Sequence, residues 1–120
     1  MKRILIADDE ESLARTVALF LGDAGHRTTV VLDGESAVRA LERDVPDLIL
    51  SDLVMPNRDG LQLLEYVRDR RSLDNTKFVL MTVKDSIFEP LKRYPLQPDA
   101  ELAKPFSRDD LLAMVNRLIG

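Results

Sequence analysis

Ile4-Leu5-Ile6-Ala7-Asp8-Asp9-Glu10 is the stretch that decides the fold. The apolar residues run without a polar break and end on an acidic pair. A strand with one wet face alternates apolar and polar residues, whereas one covered on both faces reads as a continuous apolar run. The stretch therefore reads as a buried parallel strand that delivers Asp8 and Asp9 at its carboxyl end.

Working outward, residues from about Glu10 to Ala24 present Leu13, Val17, Phe20, Leu21 and Ala24 at helical spacing, with Gly25 as a natural stop. Thr28 to Leu32 is a β-branched second strand. Asp33-Gly34 turns into a helix carrying Ala37, Val38 and Leu41, and Pro46-Asp47 breaks it before Leu48-Ile49-Leu50, the third strand. Asp59-Gly60 opens a third helix with Leu61, Leu64, Tyr66 and Val67. Phe78-Val79-Leu80-Met81 is a fourth strand, and Ala100 to Ala103 holds a fifth. The last helix begins with Ser107, has Asp110 three positions later in the manner of a capping box, and buries Leu111, Val115, Leu118 and Ile119. Strands alternating with helices predict an α/β domain with right-handed crossovers and one doubly wound parallel sheet of five strands, helices on both faces. No repeat, low-complexity tract or linker divides residues 1–120, which read as one domain.

Composition narrows the chemistry. The chain has no cysteine, which excludes disulfides, thiolate catalysis and Cys-ligated zinc, and its one histidine, His26, cannot build a His-based metal site alone. The opening Met-Lys-Arg lacks the apolar stretch of a secretory signal, and no apolar run approaches the ~18 residues that span a bilayer. A cytoplasmic protein without membrane contact is the expectation. Net charge is −4, with acidic and basic residues interspersed. The densest basic group, Arg68, Arg70 and Arg71, falls at a predicted helix end, where it complements the helix dipole. Direct nucleic-acid binding by this segment is not expected.

Parallel strands place their carboxyl ends on one edge of a sheet, so Asp8, Asp9, Asp52, Thr82 and Lys104 converge there from distant parts of the chain. Two carboxylates at ~4 Å repel by roughly 4 kcal/mol at an effective dielectric of about 20. Asp8, Asp9 and Asp52 together imply raised pKa values or a bound cation. With oxygen ligands alone, that cation is hard: Mg²⁺, Mn²⁺ or Ca²⁺, with Mg²⁺ favoured where a phosphate shares the site. The competing reading is that Asp8 or Asp9 caps the first helix. Asp52 precedes a long loop and has no helix of its own to cap. Lys104 supplies a compact cation that can pair with Asp52 and then with a group attached to it, or is a surface lysine before a helix. Lys104-Pro105 is a candidate cis bond. Thr82 offers a hydroxyl, or is a good strand former.

These residues, in this order, resemble the receiver domain of bacterial two-component response regulators. The resemblance rests on Ile-Leu-Ile-Ala-Asp8-Asp9-Glu10, Ser-Asp52-Leu-Val-Met-Pro56-Asn-Arg-Asp59-Gly60, Met-Thr82 and Lys104-Pro105-Phe106, and covers essentially the whole chain. It implies a flavodoxin-like sheet of order 2-1-3-4-5, as in the chemotaxis regulators of this family. It implies Asp52 as phosphoacceptor, with Mg²⁺ on Asp9, Asp52 and the backbone carbonyl of Val54, and Asp8 acting through water. Thr82 and Lys104 would hold the phosphoryl oxygens. The donor would be a phosphohistidine on a histidine kinase or phosphotransfer protein, or a small phosphodonor. Such a domain is not an enzyme in the usual sense; it assists its own phosphorylation and dephosphorylation. Output would pass to a downstream protein or a fused effector domain, and a homodimer is among the assemblies the resemblance allows.

The chain departs from the family pattern beyond the fourth strand. Glu101 stands where an aromatic switch residue is usual, Val83 where a small residue follows the threonine, and Pro98-Asp99-Ala100 where Gly-Ala is usual. Pro90, Pro95 and Pro98 predict a fourth helix that is short or irregular, from near Pro90 to about Tyr94, after a loop from Val83 to Phe88. Phe88 or Tyr94 would substitute for the missing ring or pack under the loop. Val54 and Lys84 occupy places the family uses to tune phosphoryl lifetime. The leading reading is a phosphorylation-driven switch. The alternatives are a receiver-shaped interaction module that binds without switching, and a Mg²⁺-dependent phosphohydrolase, for which 120 residues leave little room for a substrate cap.

Overall fold

Ile4, Ile6 and Ala7 are essentially inaccessible to solvent and Leu5 nearly so, because strand β1 (Arg3–Ala7) lies between two neighbours with helices on both faces. A computed structural model of the protein describes residues 1–83 and 94–120. After β1 come α1 (Glu11–Asp23), β2 (Arg27–Val31), α2 (Gly34–Arg43), β3 (Leu48–Asp52), α3 (Gly60–Arg68), a single 3₁₀ turn (Arg71–Leu73), β4 (Lys77–Val83), β5 (Ala100–Lys104) and a C-terminal helix (Arg108–Ile119). The sheet is five-stranded, in the order β2-β1-β3-β4-β5, and every adjacent pair is parallel.

Side chains alternate across a strand, so each apolar run supplies two cores at once. Leu5, Ala7, Ile49, Phe78 and Leu80 pack against Ala37 and Leu41 of α2 and Leu63, Leu64 and Val67 of α3. Ile4, Ile6, Leu48, Leu50, Val79, Met81 and Leu102 pack against Ala14, Val17 and Leu21 of α1 and Leu111 and Val115 of the C-terminal helix. That double duty is why these strands carry no polar alternation.

Local details depart from the periodicity. The buried stripe of α1 is Ala14, Val17 and Leu21, whereas Ala24 is exposed. The helix ends at Asp23, and Ala24 becomes its C-cap and leaves the buried face. In α3 the buried set includes Leu63, one turn before Val67, while Leu61 and Tyr66 only partly reach the core. Ser107 does form a capping box: its hydroxyl accepts from the Asp110 amide at 3.0 Å, and Asp110 accepts from the Ser107 amide at 3.5 Å. Val83, expected to open a loop, instead ends β4, because its strand stays paired with β5 through Lys104. The rest of that loop, with Lys84 and Phe88, and the short helix expected from Pro90 fall on residues 84–93, outside the described residues. Tyr94 is partly buried, and its carbonyl accepts from Gln97 Nε2 at 2.9 Å. Among the described residues, no helix is long and apolar enough to cross a membrane.

The arginine group does more than complement a helix end. Arg68, the last residue of α3, donates from Nη2 to the carbonyl of Gln97 at 3.0 Å and to Asp99 Oδ2 at 3.1 Å. Arg70 lies over the Tyr66 ring, 3.9 Å from its centroid. Asp99 carries a structural load. Its Oδ2 accepts from the amide of Phe78 at 2.8 Å, and its own amide donates to the carbonyl of Phe78 at 2.8 Å. It thus seals the start of β4 to the entry of β5 and ties both to α3. Asp99→Ala removes an acceptor from a backbone amide and a partner from Arg68 together. A loss of about 1–3 kcal/mol is expected in urea denaturation. A loss below about 0.5 kcal/mol would show the brace to be dispensable.

Candidate functional site

Four strands end on the same edge of the sheet, and each delivers one of the charged or hydroxyl-bearing residues. Asp8 directly follows β1, and Asp52 ends β3 in register with Met81 of β4. Thr82 is the next residue along β4, paired with Ala103. Val83 pairs with Lys104, the last residue of β5. The sheet order therefore brings Lys104 to a residue 96 positions earlier in the chain.

Asp8, Asp9 and Asp52 each offer a carboxylate oxygen, and those oxygens lie within 4.8 Å of one another. Asp8 is fully buried, Asp52 is mostly buried and Asp9 is exposed. Neither Asp8 nor Asp9 caps α1. Glu10 occupies the N-cap position without a side-chain bond, and Asp8 Oδ1 instead accepts from the Glu10 amide at 2.9 Å. The capping alternative is thereby removed, and the acidic pair is left for the edge of the sheet.

Lys104 reaches into this cluster. Its Nζ donates to Asp8 Oδ2 at 2.9 Å and lies 3.4 Å from Asp52 Oδ1. The closer partner is Asp8, where sequence reasoning had set the lysine beside Asp52. The reason is burial: Asp8 is inaccessible to bulk solvent, and a buried carboxylate leans more strongly on a cation. The Lys104-Pro105 peptide bond is cis. Burial pulls the lysine pKa down, but the bond to Asp8 and the charge of Asp52 more than offset this and leave it above the usual value.

Asp52 behaves in the opposite sense. Burial first, and the neighbouring Asp8 charge second, push its pKa up to about 6, against a partial pull from Lys104. Its Oδ1 also accepts from the Leu53 amide at 3.0 Å. Among the described residues no bond is directed to Oδ2, which leaves one oxygen of the carboxylate open.

The loop after Asp52 folds back on itself. The Gly60 amide donates to the Leu53 carbonyl at 2.8 Å, and a Cβ at position 60 would run into the carbonyl of Asp52 and the Leu80 side chain. Glycine is required here by close approach. Asp59 then caps α3 in a box with Gln62. Val54 is 73% exposed on this loop, and Val83 is 63% exposed at the end of β4. Glu101 is exposed on β5. Neither Gly60 as a contact to Asp52 nor Asn57, with φ 70°, was singled out by sequence reasoning. The Asp59-Gly60 pair was the available signal for the former, and the latter had none.

The arrangement is an oxygen-only acidic cluster with the Lys104 ammonium inserted into it, at the carboxyl edge of a doubly wound sheet where β4 also ends with Thr82 and Val83. Such a cluster at the strand ends of a doubly wound sheet is a candidate cation site. Comparison with known proteins makes that reading specific. A family model described as the response regulator receiver domain matches residues 4–116. The sensory transduction protein RegX3 of Mycolicibacterium smegmatis is 34% identical over 119 residues, covering 99% of this chain and 51% of that protein. The signal receiver domain of a histidine kinase from Syntrophus aciditrophicus superposes with a TM-score of 0.90 at 29% identity, over 99% of this chain and 90% of that one. Response regulator TrrA of Thermotoga maritima, solved in complex with Mg(2+)-BeF, gives 0.86 at 27% identity over 99% and 100%. The chain belongs to the response regulator receiver domain family, whose general property is a phosphorylation switch in two-component signalling. It spans about half the length of the first curated relatives it matches.

Proposed function

We propose that this domain is a cytoplasmic phosphoacceptor in which Asp52 takes up a phosphoryl group in a Mg²⁺-dependent step. The observation that carries the reading is the juxtaposition of Asp8, Asp9 and Asp52 with Lys104 Nζ, 3.4 Å from Asp52. The donor set fits a hard divalent cation, since every side-chain ligand is a carboxylate oxygen. Asp9, Asp52 and the Val54 carbonyl would hold it. Asp8 spends its oxygens on Lys104 and the Glu10 amide, which suits a role through water. Mn²⁺ or Ca²⁺ are candidate substitutes. The chemistry a bound cation supplies is neutralisation of charge on the phosphoryl oxygens.

Asp52 Oδ2 attacks phosphorus in line with the P–N bond of a phosphohistidine on a kinase or phosphotransfer protein. The O–P bond forms as P–N breaks, and the departing imidazole takes up a proton. A small acyl phosphate serves equally, with a P–O bond breaking. Phosphoryl transfer asks for positioning and charge stabilisation more than covalent help, and the site offers both. Lys104 then has a more negative partner at Asp52 than at Asp8, and the Thr82 hydroxyl is available to the phosphoryl oxygens. Output passes to a downstream protein, a fused effector domain or a second copy of the chain.

One feature favours a second reading. Glu101 is charged and exposed on β5, where an aromatic switch residue would be expected, so a partner could bind this face regardless of phosphorylation. Intact mass after incubation with Mg²⁺ and acetyl phosphate separates the two. One added phosphoryl group, absent in Asp52→Asn, is expected. No addition, with Mg²⁺ binding demonstrated, would favour the constitutive interaction module.

A further inference from the structure

The loop that follows Asp52 would carry the cation-binding carbonyl on a residue whose side chain is not packed into the core. The Val54 side chain is 73% exposed. The near end of the loop is fixed by the strands: the Leu53 amide reaches the Met81 carbonyl at 3.3 Å, and the Met55 side chain is buried. Its far half is held from outside mainly by the start of α2. Asn57, in the left-handed region at φ 70°, donates from Nδ2 to Asp33 Oδ2 at 3.1 Å. Arg58 Nε donates to Glu35 Oε1 at 3.1 Å, and the same guanidinium lies 5.7 Å from the centroid of Tyr66 on α3. Between these two ties the Gly34 amide points at the Pro56 carbonyl at 3.5 Å. A Cβ on Gly34 would collide with the backbone of Arg58. Three consecutive residues, Asp33, Gly34 and Glu35, therefore meet three consecutive loop residues, Pro56, Asn57 and Arg58.

The geometry points to Asp33, Gly34 and Glu35 as positioning residues for the cation site, a clamp on the second helix that sets where the Val54 carbonyl stands. None of them belongs to the acidic cluster, so their influence runs through the loop. A ligand presented from a loop binds tightly when the loop is already in place, because ordering it then costs little on binding. Partners that orient a metal ligand typically change affinity by roughly 10–100-fold when removed. The Arg58–Glu35 pair is partly exposed, at 31% and 43%, and such a pair adds little to global stability. The expected signature is therefore a loss of cation affinity out of proportion to any loss of stability. This inference rests on the phosphoacceptor reading above, specifically on a cation at Asp9, Asp52 and Val54.

The test is a Mg²⁺ titration of ¹⁵N-labelled protein, following the amides of Asp52, Val54 and Gly60, with thermal unfolding measured alongside. Glu35→Arg and Arg58→Glu singly should each weaken Mg²⁺ binding roughly tenfold while unfolding temperature moves little. The double charge swap should recover most of the affinity. Asn57→Gly, which keeps the backbone conformation and loses the bond to Asp33, should weaken binding in the same direction. Wild-type affinity in the two single charge reversals would overturn the clamp while leaving the site intact. Failure of the double swap to recover affinity would likewise overturn the pairing assigned to Glu35 and Arg58. A wild-type chain whose Asp52 and Val54 amides do not respond to Mg²⁺ would bring down the cation reading itself, and the clamp's role with it.

Discussion

Lys104→Ala is expected to destabilise the metal-free protein by about 3–5 kcal/mol at neutral pH, the range seen when one partner of a buried ion pair is removed. Asp8 is completely inaccessible to solvent, and its Oδ2 accepts from Lys104 Nζ at 2.9 Å. Among the described residues, deleting the lysine leaves that carboxylate with only the Glu10 amide, and leaves Asp52 facing Asp8 without an intervening lysine. Two further consequences follow from the same physics. Saturating Mg²⁺ should return part of the lost stability, because a ligand that binds only the folded state stabilises it by mass action. Acidification should also narrow the gap to wild type as Asp52 takes up a proton. Urea denaturation in EDTA and in excess Mg²⁺ checks both. A loss under about 1 kcal/mol in EDTA would mean that water reaches Asp8 and that the pair is not a buried one.

Asp52→Asn should act in the opposite direction and stabilise the metal-free protein. In the folded state Asp52 holds its proton up to about 6, whereas in the unfolded chain it releases it near 3.8. Between those values the folded state binds more protons than the unfolded state, so stability falls as pH rises. Above about 6 the deficit is complete and constant. A shift of roughly 2 units corresponds to about 3 kcal/mol at most, and asparagine, which has nearly the same shape and no charge, should recover about 1–3 kcal/mol of it at pH ~7.5. Near pH 4 the two proteins should unfold together. In excess Mg²⁺ the order should reverse, since the variant loses a charged ligand and with it the stabilisation by binding. Urea titrations across pH in EDTA would refute this if the variant were less stable than wild type at pH ~7.5. The carboxylate proposed to accept phosphate is thus held at a cost to the fold, as functional groups often are.

How much of this was legible beforehand differs from element to element. The runs at Ile4–Ala7, Leu48–Leu50 and Phe78–Met81 could be read as strands because burial on both faces leaves no room for polar alternation. The capping box at Ser107 was readable because capping is local, satisfied within three residues, and Asp33 and Asp59, read only as helix starts, form caps of the same reach. Ala24 and Leu63 were misjudged for the complementary reason. Which residues of a helix are buried depends on where it stops and how it rotates on the sheet, and periodicity alone leaves about a residue of freedom. The arginine group shows the same limit. Charge at a helix end suggests the dipole, whereas the pairing of Arg68 with Asp99 spans 31 positions and has no local trace.

By itself, then, the sequence determined the class of fold, the strands that deliver Asp8, Asp9, Asp52, Thr82 and Lys104, and the one edge at which they arrive. These follow from burial and periodicity, which are properties of neighbouring residues. The tertiary structure decided who partners whom at that edge. Lys104 turns first to Asp8 because Asp8 is the carboxylate without access to water. Asp52 is left with a raised pKa because it is mostly buried and stands beside the Asp8 charge, and the lysine it shares, at the longer distance, offsets only part of this. The loop bearing Val54 is held by α2 through Asn57 and Arg58, contacts made across more than 20 residues. Desolvation and the distances between charges depend on the packed whole, and no reading of neighbours along the chain contains them.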